Sequence, residues 1–596
     1  MPREKRGSSR WAAKWSASSR GGFRFEVCQF GVTRRRDTGN RPEPVRSRRN
    51  RIPNPFAVKP FYLTTAIDYP NAAPHLGHAY EKVLADAIAR HLRRTGRPVH
   101  FLTGLDQHGQ KVQQTAEKAG IHPATHVKKT SKLFTRLWES LGISHDAWIE
   151  TTDDRHKKAV RTLLQRLYDA GDITKGTYRG YYSVRQEQYI TAKERREDGS
   201  FGPEWGEVVE LEEENWYFAL KKHLPWLRAF LHSHPEAVFP ESRLRNLIQA
   251  VEESEGADLC ISRPKSRLRW GIELPFDPDY VCYVWFDALT NYISGAGWPD
   301  GSWDEGGPRF DQLWPNDCNV IGKDILVPAH GIYWLSMLHA AGFTDDQMPR
   351  FLVHGWWNIR NQAGESEKMS KSLGNVVDPQ VLVDTIGADA LRYYLLSEMT
   401  TGQDADFSHE RLIVRTNAEL ANGLGNLLNR ALNMTQRYCG GVVTRGGYDD
   451  ALLAEVRTAV AELPARHRAA LETWQFNRAL EAVWTVIDTA NRFVERTEPF
   501  KLAKDPAQAD RVTGIMHHLC ETLAHVSIFL EPVIPAAMAQ LRAQLRWEPP
   551  AGLTYDTTTW GLLPDGHLIG KPKPLFAKIE TAAPDAPAAP APPAAD

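Results

Sequence analysis

A strand that runs straight into a helix constrains this chain most, because the pattern recurs. Phe61-Tyr62-Leu63-Thr64-Thr65-Ala66 is short and β-rich, and helical sequence begins after His75-Leu76-Gly77-His78 and runs from Ala79 to Arg94. Val99-His100-Phe101-Leu102-Thr103-Gly104 reads as a second buried strand; it ends at Asp106-Gln107-His108-Gly109, with helix again from Lys111. Asn319-Val320-Ile321-Gly322 repeats the pattern before Asp324. Such βαβ rhythm predicts an α/β fold, a doubly wound parallel sheet of Rossmann type. Ligands of these sheets lie beyond the C-terminal strand ends, and His75, Asp106 and Asp324 all fall at that edge.

Two sequence clusters suit a triphosphate. The imidazoles of His75 and His78 can donate to phosphate oxygens. Gly77 lets backbone or an adenine pass close, having no Cβ. The cluster stands at a helix N-terminus, where amides and dipole favour anions. Far downstream, Lys368-Met369-Ser370-Lys371-Ser372 lies on a loop flanked by Gly364 and Gly374. A mobile loop there can bring the ammonium groups of Lys368 and Lys371 to phosphates as charge builds. Either motif alone is weak; an HxGH tetrapeptide is commonly a surface pair, and a basic loop is commonly just solvated. Both in this order, with Thr64-Thr65-Ala66-Ile67-Asp68-Tyr69-Pro70-Asn71 leading into the first, are specific.

Together these motifs resemble the two signatures of a class I aminoacyl-tRNA synthetase. Trp285-Phe286-Asp287-Ala288-Leu289-Thr290-Asn291-Tyr292, Gly322-Lys323-Asp324-Ile325 and His330-Gly331-Ile332-Tyr333-Trp334 resemble the amino-acid pocket of the methionyl-tRNA synthetase family. The resemblance spans about residues 59 to 578. The chain is too short for the large editing insertion of the leucine, isoleucine and valine enzymes, and it lacks the cysteine ligands of the cysteine enzymes. The resemblance implies a ligase that uses ATP with Mg2+ to form methionyl-adenylate and pyrophosphate, then esterifies the 3′ end of tRNA(Met), initiator and elongator alike. It also implies cyclisation of homocysteinyl-adenylate in the same site. Its zinc-bearing members hold cysteine pairs in the inserted subdomain. Here the corresponding run is Tyr181-Tyr182-Ser183-Val184-Arg185-Gln186-Glu187-Gln188-Tyr189, so the zinc-free branch is expected and no metal site.

Residue roles follow from chemistry and position. His75, His78, Lys368 and Lys371 are the candidate catalytic groups; Gly77, Lys323 and Asp324 join them around ATP. A methionine slot needs apolar walls and one or two polar groups near sulfur. Ile67, Tyr69, Trp285, Ala288, Leu289 and Trp334 can line it, Tyr292 and His330 can face the sulfur, and Asp106 can hold the ammonium. Asp324 and His330 stand six apart, one more than the family's usual spacing, so Val327-Pro328-Ala329 is expected to bulge. Asn426 and Arg430 are i and i+4 on one predicted helix and share a face. They match the family's anticodon-reading pair, and Phe500 matches its aromatic stacking position, commonly tryptophan.

The length of 596 residues implies several domains. We expect a disordered basic extension over 1–57, the sheet's first half over 58–172, a connective insertion over 173–276, and the second half with its basic loop over 277–372. A stem-contact region over 373–410, an α-helical anticodon-binding bundle over 411–560 and a C-terminal segment with an Ala/Pro tail over 561–596 complete the chain. Leu420, Leu424, Leu427, Leu428 and Ala431 carry the bundle's apolar spacing, as do Trp474, Ala479, Leu480, Val483, Trp484, Ile487 and Ala490 less strictly. Net charge is zero, yet residues 1–56 carry about 15 Lys/Arg against about 4 acids, leaving the body acidic by about 11. RNA must therefore meet local basic patches. The extension reads as a transit peptide or as a gene-model overrun before a start at Val58, the latter slightly favoured. Six scattered cysteines without a CxxC suit a reducing cytoplasm, and no 18-residue apolar run implies a membrane span. No further tRNA-binding or dimerisation module follows residue 580, which favours a monomer. A small-molecule nucleotidyltransferase would not need the helical bundle, and a non-catalytic paralogue would not need intact His75, His78, Lys368 and Lys371.

Overall fold

The computed structural model describes residues 58–580 apart from 184–187, 191–194, 197, 204, 255–256, 361–363 and 370–374. The expected extension over 1–57, the Ala/Pro tail and Lys371 lie outside the described residues.

Six parallel strands make the central sheet: β1 Phe61–Thr65, β2 Val99–Leu105, β3 Ala147–Glu150, β4 Val238–Phe239, β5 Cys318–Gly322 and β6 Phe351–His354. Their spatial order is β3-β2-β1-β5-β6-β4, with β1 paired to β2 from Phe61↔Val99 and to β5 from Leu63↔Cys318. β1 and β5 are buried at every position, as parallel strands covered on both faces must be. Strand order reverses between β1 and β5, which is where such sheets open a ligand crevice.

Residues 173–276 are expected to form the insertion throughout. The antiparallel pair Ile173–Ser183 and Val208–Phe218 does form a separate sheet, joined by Gln188–Ile190 and Leu259–Cys260. Val238–Phe239, however, pairs with Phe351–Leu352 and closes the edge of the central sheet. A strand of two residues carries no readable period, so the sequence hid this return. In the insertion, the Arg195 guanidinium lies 4.3 Å from the Tyr181 ring and 5.4 Å from that of Phe201. Cation–aromatic packing thus helps hold this subdomain.

Helix α1 (Leu76–Arg94) leaves the end of the first crossover with its inner face in the core. It also meets the C-terminal helices. Arg392, fully buried, contacts Asp86 at 2.7 Å and donates to the carbonyls of Pro532 and Val533, while Arg94 pairs with Glu531. One apolar core consequently runs from β1 through α1 into the helices Asn426–Cys439, Ala451–Leu471, Phe476–Thr497 and Ala509–Leu530. Leu420, Leu424, Leu427, Leu428 and Ala431 are all fully buried there. Trp474 departs from the expected helix: it turns at φ +51° ahead of Phe476–Thr497.

Candidate active site

The first motif caps its own helix. The Gly77 amide donates to His75 Nδ1 and the His75 amide to His78 Nδ1, each at 3.1 Å. Both Nδ1 atoms accept, so the neutral rings carry their protons on Nε2. The rings stack at 3.7 Å. A Cβ on Gly77 would come within 3.0 Å of the His75 ring, so glycine here makes room for that imidazole.

His75, Gly77 and His78 line a cavity of about 250 Å³ that is also bounded by Asp324, Lys368 and Met369. The downstream motif therefore does reach the first one through Lys368. Lys368 lies 3.7 Å from the centre of the Trp356 ring, and its Nζ is 3.3 Å from Asp324 Oδ2. Burial works to raise the Asp324 pKa, but the Lys368 ammonium holds the carboxyl below its ordinary range. Lys323 is placed otherwise than expected. Its ammonium bonds Asp404 at 2.6 Å beside the same Trp356 ring and is not among the groups bounding the cavity.

Several groups on this cavity belong to no sequence motif. Glu81 stands one turn after His78 on α1, His354 ends β6, and Trp356 and Trp357 follow it. Beneath them lies Lys82, which is fully buried. It bonds Ala66 O at 2.8 Å, Asp68 Oδ1 at 3.1 Å and Glu81 Oε1 at 2.7 Å. His354 Nε2 meets the other Glu81 oxygen at 3.2 Å. Burial drives Asp68 up to about 7 against the pull of Lys82, while Glu81, also desolvated, is held low by Lys82 and His354.

A second cavity, of about 480 Å³, adjoins the first. Ile67, Tyr69, Asp106, Trp285, Ala288, Leu289, Tyr292 and His330, the residues expected around a methionine side chain, all line this one cavity. His330 sits on a π-helical turn, Leu326–Trp334, in which Val327 adopts extended φ/ψ; this is the expected bulge. His330 Nδ1 donates to Ile325 O at 2.8 Å, so Nε2 accepts from the Tyr292 hydroxyl at 2.7 Å. Burial lowers the His330 pKa to about 4, so the ring is neutral at pH 7. The Tyr292 proton is thereby directed to His330. Trp334 differs from expectation: it is fully buried behind Tyr292, ring centres 6.1 Å apart, while Tyr333 takes the place on the cavity wall. A π turn needs more residues per turn, which shifts neighbouring side chains to other faces. Below the helix Val284–Leu289, Asp287 receives His108 Nδ1 at 2.7 Å and His156 Nε2 at 2.8 Å, fixing that helix to two other elements.

The two cavities share Ala66, Ile67, Tyr69, Asp324 and Ile325. An amino-acid-sized apolar slot thus opens onto a site with imidazole and ammonium donors for phosphate. Away from it, Asn426 opens the helix Asn426–Cys439 and is exposed, Arg430 one turn later is half-buried, and Phe500 is 44% exposed. None of these three touches the cavities.

The family profile "tRNA synthetases class I (M)" matches residues 61–197 and 205–432, and "Anticodon binding domain of methionyl tRNA ligase" matches residues 440–586. The methionine–tRNA ligase of Caldanaerobacter subterraneus is 38% identical over 529 residues, covering 88% of this chain and 79% of the relative. That of Deinococcus radiodurans is 40% identical, covering 87% and 74%. The Mycobacterium tuberculosis methionyl-tRNA synthetase structure bound by methionyl-adenylate superposes with TM-score 0.80 at 37% identity, covering 87% of this chain and 100% of that one. The slot, the phosphate donors and these likenesses agree: the chain belongs to the class I methionyl-tRNA synthetase family.

Proposed function

We propose that methionine fills the larger cavity and ATP the smaller, so that the substrate carboxylate meets the α-phosphate beside Ala66–Tyr69 and Asp324. The shared wall of the two cavities is the observation that carries this reading. Asp106 holds the substrate ammonium by a charge-assisted bond, and Trp285, Ala288 and Leu289 enclose the thioether. As the carboxylate oxygen attacks phosphorus, the bond to the pyrophosphate oxygen breaks and charge accumulates on the leaving group. His75 and His78 Nε2 protons, with Lys368 and Lys371, stabilise that charge; Mg2+ accompanies ATP as part of the substrate. The 3′ hydroxyl of tRNA(Met), initiator or elongator, then attacks the methionyl carbonyl and releases AMP.

Asn426 and Arg430 read anticodon bases while Phe500 stacks on one. Arg430→Ala is expected to lower aminoacylation far more than ATP–pyrophosphate exchange; equal loss in both would refute the anticodon role. The chain acts without zinc, since Tyr181–Tyr189 offers no thiolate. We propose that it works as a monomer in the cytoplasm; the five cysteines among the described residues are free, which suits a reducing compartment. Among those residues no helix is long and apolar enough to cross a membrane. Methionine-dependent ATP–pyrophosphate exchange tests the whole reading. Exchange with methionine, and far weaker exchange with the other amino acids, is expected; none with methionine overturns it.

A further inference from the structure

Lys323 lies in the chain between Gly322 and Asp324, and both of those residues bound the smaller cavity. Its own ammonium is held elsewhere. It bonds Asp404 Oδ2 at 2.6 Å and stands 4.0 Å from the centre of the Trp356 ring. The same ring holds the Lys368 ammonium at 3.7 Å, and Lys368 does bound the cavity. One indole thus carries two ammonium groups. Asp324 draws one of them toward the cavity, and Asp404 draws the other away.

The backbone is built to put Asp404 there. Strand Ala405–Phe407 pairs in parallel with Trp357–Arg360, which pairs in turn with Ser366–Lys368. Asp404 precedes the first of these strands. Its Oδ1 accepts from the Trp356 amide at 2.9 Å, and the Ala405 amide donates to the Trp356 carbonyl at 3.0 Å. A Cβ on Gly355 would come within 1.9 Å of Gln403 O, so glycine lets the Asp404 turn lie against the end of β6. Arg243 ties the same turn down by donating to Gly402 O at 2.8 Å. Burial works to raise the Asp404 pKa, but the bonds from Lys323 and from the Trp356 amide hold the carboxyl below its ordinary range. The carboxylate is therefore fixed and charged, while the lysine that it holds is the end of a flexible chain.

We propose that Asp404 is a positioning residue that keeps the Lys323 ammonium in reserve on the Trp356 ring, and that Lys323 leaves Asp404 for the phosphates when a triphosphate enters the smaller cavity. The proposal rests on ATP occupying that cavity, and it adds a cation that the cavity wall does not include. The Lys323–Asp404 pair is partly exposed, with side chains 19% and 36% accessible, so it is weakly held. A triphosphate offers several charges and many acceptor oxygens against one carboxylate, and wins the ammonium by charge-assisted bonds. The ring attracts a cation over its whole face, so Trp356 supports the ammonium while rotation of the lysine side chain alone carries it across. Breaking the Asp404 pair then opposes ATP binding, and methionine binding does not feel it.

The test is steady-state ATP–pyrophosphate exchange by the full chain, with ATP varied at saturating methionine and methionine varied at saturating ATP. Asp404→Asn removes the charge and keeps an oxygen for the Trp356 amide. The expected result is a KM for ATP lowered about 2- to 5-fold, with KM for methionine unchanged. Lys323→Met should raise KM for ATP roughly 10-fold, and Asp404→Asn added to Lys323→Met should change it no further. A KM for ATP that is unchanged or raised in Asp404→Asn overturns the proposal. So does a fall that persists in the Lys323→Met background, because the carboxylate then acts other than through Lys323. An unchanged KM for ATP in Lys323→Met overturns it too, whatever Asp404→Asn does to the fold. Wild-type protein without methionine-dependent exchange would refute the proposed function itself, whereas any of these results with wild-type exchange present refutes the Asp404 role alone.

Discussion

Lys82→Met tests the electrostatics under the nucleotide cavity. The lysine is wholly buried, and its ammonium makes three bonds, two of them to carboxylates. Removing one partner of a buried ion pair costs about 3–5 kcal/mol, because charge is left uncompensated. Proton uptake limits the cost here. Burial already raises Asp68 to about 7 with the ammonium in place, and without Lys82 it rises further. A carboxyl raised in the folded state makes that state bind protons more tightly than the unfolded chain, so stability falls as pH rises toward the folded value. The variant should therefore be destabilised by about 3–5 kcal/mol at pH 8, and by up to about 1.4 kcal/mol less at pH 6, because the wild type, with Asp68 at about 7, itself loses about 1.4 kcal/mol over the same two pH units. Urea unfolding followed by tryptophan fluorescence at the two pH values measures this, with ATP–pyrophosphate exchange as the activity readout. Adding Asp68→Asn to Lys82→Met removes the orphaned charge and should recover stability and abolish the added pH dependence. A loss independent of pH, or no recovery in the double variant, would refute the reasoning.

Lys368→Ala should raise KM for ATP and lower the exchange rate by roughly 10²-fold, as for other groups that stabilise developing charge; steady-state exchange against ATP concentration checks it. Tyr292→Phe removes the donor to His330 and leaves a buried nitrogen without its partner, costing about 1–3 kcal/mol; a raised KM for methionine and a lowered thermal midpoint are expected. Burial holds His91 at about 4 and His467 at about 3. These folded values lie below the unfolded one, so the stability they confer is full above about pH 6.5 and is lost as pH falls toward 4. Each should cost about 2 kcal/mol by pH 5, and His467→Phe should flatten the fall in thermal midpoint between pH 7.5 and 5.

Strand-end logic made much of the site legible. His75, Asp106 and Asp324 are legible because each follows a strand, and the same rule applied to the end of Phe351–His354 reaches His354, Trp356 and Trp357. Helical spacing would have added Glu81, three residues after His78. Other features had no local signal. Lys323 turns to Asp404, a partner fixed only by the tertiary fold. Tyr333 and Trp334 exchange roles because a π turn, invisible to a period of 3.6, rotates the face they occupy. Val238–Phe239 is too short to show a pattern, yet it completes the central sheet.

One continuous site spans the two cavities. A crystal structure with a non-hydrolysable methionyl-adenylate analogue tests it directly. The expected density puts the thioether between Trp285 and Tyr292, the ammonium on Asp106, and the adenosine beside His78 and Asp324. An adenosine bound away from the His75–His78 stack, or a methionyl group outside the Trp285–Tyr292 slot, would contradict it.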